Sequence, residues 1–189
     1  MTTKYSNPKN IMLDLETQSV RPHAAILTIG AIKFDTNGKL PPIDKLKTFY
    51  RRITMDSCLE EGLHIDPETM AWWAEQDEKA SYEAIGNPDR IPLRQALTEF
   101  SDWVGDYKYT KIYANSPDFD ITIIREAYKR CEMESKIPFN FWSVRCTRTI
   151  YDLGGVKLKD FPNNIKHHAL YDCYAQILAM KEALKRINS

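Results

Sequence analysis

The chain has 189 residues, 43% of them hydrophobic, which is enough length and apolar content for one domain with a substantial buried core. Its 26 basic and 26 acidic residues cancel, which excludes a strongly basic protein that wraps nucleic acid by bulk charge, though not a local basic patch. The four scattered cysteines form no C-x-x-C pair and lack histidines at zinc spacing, and no apolar run approaches the ~20 residues of a membrane span.

The polar start, MTTKYSNPKN, carries no secretory signal, and the cysteines read as reduced thiols of a cytosolic protein. NIMLDLET then reads as a buried strand with Asp14 and Glu16 at alternate positions. AAILTIGAIKFD gives a second strand, ending at the turn signal Asn37-Gly38, and KTFYRRI gives a third, so the first third of the chain reads as an antiparallel meander. In HIDPETMAWWAEQ, Asp66 can cap a helix, Pro67 takes its first position, and Ile65 can staple to Met70. IPLRQALTEFSDWV places Leu93, Ala96, Leu97, Phe100, Trp103 and Val104 on one stripe of an amphipathic helix, after which TKIYAN returns to strand. A further helix carries Ile124, Ala127, Tyr128 and Cys131 on one face, and the last, from Leu170, carries Cys173, Ile177, Met180, Leu184 and Ile187. Between them, IPFNFWSVRCTRTIYDLGG holds one short strand and one short helix that the pattern does not place. Strands followed by alternating helices and strands, with no repeat or linker, describe one α/β layered domain over residues 1–189 with a mixed sheet.

Asp14 and Glu16 leave the same face of their strand, with Cα atoms roughly 6.6 Å apart, a spacing that lets two carboxylates converge on a metal. An isolated D-x-E is more often a solvent-facing edge, but Ile11, Met12, Leu13 and Leu15 mark a central strand, where unpaired carboxylates are costly unless they bind cations. Asp120 opens a helix and by itself is a capping residue; Asp172 flanks the last apolar stripe and by itself is a surface contact. Together they match the needs of phosphodiester cleavage with two divalent ions about 4 Å apart, one activating water and one stabilising the leaving oxygen. Hard oxygen ligands favour Mg²⁺ or Mn²⁺.

Three segments carry a resemblance. LDLET, NSPDFD and HHALYDC are similar, in order, to the D-x-E, N-G-x-x-F-D and H-x-A-x-x-D-A motifs of the DEDDh 3′→5′ exonucleases. RPHAAILTIGAIKFD, TMAWWAEQ and RCTRTI are similar to the branch holding exonuclease VIII, exonuclease A of T-even phages and a bacterial exoribonuclease group. Ser116 stands where glycine is usual and Cys173 where alanine is usual. The resemblance implies a ribonuclease H-like three-layer α/β fold with a five-stranded mixed central sheet flanked by helices. It makes Asp14, Glu16, Asp120 and Asp172 the ligands of two cations, Mg²⁺ or Mn²⁺, and the motif histidine the general base. It implies release of nucleoside 5′-monophosphates from single-stranded 3′ ends, with a lean to DNA over RNA. A homodimer and the bacterial cytosol, for a bacterial or phage-encoded protein, follow from the same relatives. An exoribonuclease that trims tails or short oligonucleotides is the alternative within the class, and a non-catalytic nucleic-acid-binding domain the alternative outside it.

For substrate, the resemblance points to the backbone at Thr17 and to Asn115 of the second motif. Phe119 is a stacking candidate, although a phenylalanine at such a place is more often core. Trp72 and Trp73 must diverge on a helix, leaving one available to a base. Arg145 and Arg148, or Arg125 and Lys129, can share a helical face and meet phosphates.

The doubled histidine poses a question of register. On an ideal helix His168 lies about 40° from Asp172 and His167 about 140° away, whereas the motif spacing selects His167 as base. Both hold if the helix begins near Ala169 and His167 belongs to the loop before it.

Overall fold

A computed structural model describes residues 10–106 and 110–189; the reading of residues 1–9 as free of a signal lies outside the described residues. Strands β1 (Asn10–Thr17), β2 (Ile26–Phe34) and β3 (Lys47–Arg52) form the expected antiparallel meander. Strand β4 (Lys111–Ala114) lies parallel to β1, and β5 (Val144–Cys146) parallel to β4, giving a five-stranded mixed sheet of order β3-β2-β1-β4-β5. The acid-bearing β1 is therefore the central strand.

The helices are α1 (Met55–Glu60), α2 (Pro67–Ala74), α3 (Glu78–Ser81), α4 (Leu93–Val104), α5 (Asp120–Arg130), α6 (Thr147–Leu153) and α7 (Ala169–Ile187), and α3 runs on into a π-type turn at Tyr82–Gly86. Helix α2 starts as its sequence directs: the Asp66 carboxylate accepts from the Thr69 N–H at 3.3 Å, and Pro67 needs no partner at the first position. Ile65 packs on the main core and Met70 is half exposed in a groove wall, while the Asp66 N–H donates to the Gln18 carbonyl at 2.8 Å and ties the start of the helix to the segment after β1. Arg145 departs from expectation: it lies in β5 and so shares no helix with Arg148, its register being held by pairing with Tyr113.

Alternation along β1 divides the core. Ile11, Leu13 and Leu15 face α4 and α5, packing with Leu97, Phe100, Ile124 and Tyr128. Met12 faces the other way, under Cys173, Ile177 and Met180 of α7. Asp14 and Glu16 continue the Met12 side, so the strand that builds the core also aims two carboxylates at the first turn of α7.

One glycine permits that approach. Gly30 pairs with Asp14 across the β1/β2 ladder, and a Cβ there would fall 2.5 Å from the Ala169 carbonyl carbon. Without a side chain at this point, α7 settles directly on β2 and carries Asp172 over the sheet. The four cysteines are unpaired, and among the described residues no helix is long and apolar enough to cross a membrane.

Candidate active site

Four acidic side chains from three elements meet at the end of β1. Asp14, Glu16 and Asp172 each offer an oxygen within 4.8 Å of the others. Asp120, from the start of α5, is 4% exposed and stands outside that trio, its Oδ1 accepting from the Leu15 N–H at 3.1 Å. Asp14 Oδ1 accepts from Gln176 Nε2 at 2.7 Å, and Asp172 Oδ1 accepts from Asn163 Nδ2. Asp14 keeps a partly open surface although protein atoms surround it densely.

Packing like charges in a low-dielectric cleft favours their neutral forms. Burial first, then the charges of Asp120, Glu16 and Asp172, push Asp14 well above the usual carboxylate range. Burial, then Asp172 and Asp120, do the same to Glu16. Burial lifts Asp120 to about 7 against the opposing pull of the Leu15 N–H and Arg148, and burial lifts Asp172 against the Asn163 amide. Folded-state values above the unfolded ones mean that the folded chain holds protons which the unfolded chain releases above about pH 4. That stabilisation is complete below about pH 4 and is lost as pH rises through the folded values, about 7 for Asp120. In chelator, the melting temperature is therefore expected to fall between about pH 5 and pH 8, less steeply in Asp120→Asn; a flat or rising profile by scanning calorimetry contradicts this.

The two histidines separate as the loop arrangement requires. Helix α7 begins at Ala169 with His168 as its cap: His168 Nδ1 accepts from the Leu170 N–H at 3.3 Å. The His168 ring stacks on Tyr50 at 4.6 Å and its Nε2 lies 3.8 Å from Glu83, which also binds Arg52 and the Tyr50 hydroxyl. Burial holds its imidazole below the ordinary value. His167 precedes the helix with φ of +60°, a left-handed conformation that costs a non-glycine residue about 1–2 kcal/mol. Its ring meets the edge of Trp72 at 4.8 Å, and its charge acts on Asp172.

The remaining sequence candidates fall around this centre. Trp73 is 1% exposed and donates from Nε1 to the Thr17 carbonyl at 2.9 Å, which pins the end of β1 and withholds its ring from any base, whereas Trp72 is 41% exposed. Thr17 is buried, its hydroxyl donating to the Ser19 carbonyl at 2.7 Å. Asn115 Oδ1 accepts from Thr147 at 3.3 Å; Phe119 packs on the main core; Arg148 is exposed on α6 and acts on Asp120. Arg125 lies over the Phe139 ring, and Lys129 sits 3.9 Å from Glu126.

The two motif departures differ in cost: a serine at position 116 carries backbone strain that glycine would not, whereas Cys173 fits its place. Ser116 has φ of +126°, a glycine-type conformation, and its carbonyl accepts from the Phe119 N–H at 3.0 Å in the turn that launches Asp120. The Cys173 thiol is buried against the Met12 and Gly30 carbonyls at 3.6 and 3.4 Å. Sequence reasoning missed Asn163, Gln176 and Gly30. Only Gln176 left a signal, standing four residues beyond Asp172 on the same helical face.

Comparison with known proteins agrees with this architecture. An exodeoxyribonuclease of Enterobacteria phage T4 is 20% identical over 93% of this chain and 89% of its own length. The Mg²⁺- and Mn²⁺-bound structure of S. pombe Pop2p superposes with a TM-score of 0.58 at 14% identity, covering 97% of this chain and 86% of that one. A structure of exonuclease I, whose reported subject is how processivity is achieved, gives 0.61 at 14% identity; it covers 93% of this chain, which spans 40% of that larger protein. At such identities these structures establish the ribonuclease H-like fold. Residues 9–184 match the model described as the 3′-5′ exoribonuclease Rv2179c-like domain, and the chain belongs to that family.

Proposed function

We propose that the chain, as a single domain, is a metal-dependent 3′→5′ exonuclease that hydrolyses single-stranded nucleic acid from its 3′ end and releases nucleoside 5′-monophosphates. The observation that carries this reading is the trio of carboxylate oxygens from Asp14, Glu16 and Asp172 within 4.8 Å, in a chain of an exoribonuclease family. Three hard, mutually repelling ligands suit a divalent cation, and Mg²⁺ or Mn²⁺ is the pair that Pop2p is described as binding. Asp120, beside the trio, is the fourth ligand for a second ion, directly or through water. Bound there, the cations would supply the charge that activates water and steadies the leaving oxygen.

The chain's own residues do the rest. His167 takes the proton of the attacking water on an imidazole nitrogen, the common task of a histidine general base. Its loop is tied to the carboxylates through the Asn163 contact to Asp172. Trp72 offers a half-exposed ring beside His167 for the terminal base, and Arg148 offers charge to the phosphate side of Asp120. The family description supports RNA and the phage relative's name supports DNA. Because the family match spans nearly the whole chain, RNA is placed first, against the lean to DNA drawn from the branch resemblance.

The test uses labelled single-stranded RNA and DNA with free or blocked 3′ ends, in Mg²⁺ or Mn²⁺. Expected is stepwise shortening from free 3′ ends only, RNA at least as fast as DNA. Unchanged substrates of both kinds with both cations would leave a binding module and sink the enzyme.

A further inference from the structure

We propose that Gln176 is a positioning residue for the candidate cation site, orienting the Asp14 carboxylate by donating a hydrogen bond from its side-chain amide. This rests on the reading of Asp14 as a cation ligand. Gln176 is 2% exposed and sits on α7 one turn beyond Asp172, so one helical face delivers both an acid of the trio and the support of another. Its Nε2 lies 2.7 Å from Asp14 Oδ1. The amide presents Nε2 to Asp14 and turns Oε1 away, the orientation that an Asp14 ionised to hold a cation requires, because an ionised carboxylate only accepts.

That orientation has a cost visible in the structure. Gln176 Oε1 is buried, and among the described residues it has no hydrogen-bond partner. An apolar side chain of the same length would fill the space without burying an unpaired acceptor, so packing does not account for an amide here. The donated bond to Asp14 does. The helix is fixed at this turn by the Tyr151 hydroxyl, which donates to the Gln176 carbonyl at 3.1 Å, so the amide approaches Asp14 from an anchored backbone. A donor that orients a ligand in this way commonly sets cation affinity without touching the cation.

The experiment is Mn²⁺ titration calorimetry on the full chain, with cation-free melting temperatures, for wild type, Gln176→Met, Gln176→Leu and Asp14→Asn. Gln176→Met keeps the length and loses both the donor and the orphan acceptor. Its Mn²⁺ affinity should fall about 10–100-fold while its melting temperature stays level or rises. KM for a single-stranded oligonucleotide at saturating cation should not move. Gln176→Leu, apolar and of similar volume, should behave alike and carries the comparison should the methionine variant not fold. Wild-type Mn²⁺ affinity in both variants, or a lowered melting temperature with unchanged affinity, would mean a packing role and overturn the proposal. Absence of Mn²⁺ binding in wild type, or undiminished binding in Asp14→Asn, would instead overturn the cation-site reading beneath it.

Discussion

Asp14→Asn is expected to lower kcat/KM by about 10³-fold or more, about 4 kcal/mol of transition-state stabilisation, without loosening the fold. Asp14 is the residue whose charge is opposed by all three of its acidic neighbours, and it lies on the central strand, held by an amide from α7. Asparagine keeps the volume and can keep the Gln176 contact, so the substitution removes charge and little else. Losing one of several crowded like charges relieves repulsion in the cation-free state, so the melting temperature at neutral pH should hold or rise as activity disappears. Initial rates on end-labelled RNA, alongside scanning calorimetry, read both effects. Near-wild-type turnover in Asp14→Asn would remove the strand carboxylate from the chemistry.

The second large effect distinguishes the adjacent histidines. His167→Ala should reduce kcat by about 10²–10⁴-fold, the usual worth of a positioned general base, with little change in melting temperature because alanine carries the same left-handed cost as the histidine it replaces. His168→Ala should do the reverse. It removes the cap of α7 and the ring stacked on Tyr50, costing about 1–2 kcal/mol of stability, with a much smaller loss of turnover. Parallel kinetics and thermal unfolding of the two variants separate these roles. Equal kinetic losses from both would show that the helix cap, and not one imidazole, sets the rate.

These two predictions also show how far the sequence was readable. Asp14 and Glu16 stood out because charges at alternate positions of an otherwise apolar strand are costly in a core, and β1 is indeed central. The start of α2 was readable because Asp66 and Pro67 act within one helical turn. The start of α7 was open to geometry alone and was narrowed by motif spacing. What depends on distant packing was not readable. Nothing local to Gly30 says that α7 will lie on it, and nothing near Asn163 says that it will reach Asp172. The tryptophan pair had to diverge, yet only the bond from Trp73 to Thr17 decides which ring is buried. Arg145 reads as helical beside Arg148 until β5 pairs with β4 and claims it.

The acids at the end of β1 are expected to hold divalent cations. Diffraction from crystals soaked in Mn²⁺, collected for anomalous scattering, addresses this without reference to any substrate. A strong peak is expected bounded by Asp14, Glu16 and Asp172, and a second about 4 Å from it on the side of Asp120. Ordered Mn²⁺ elsewhere on the molecule, with this cluster bare, would contradict this.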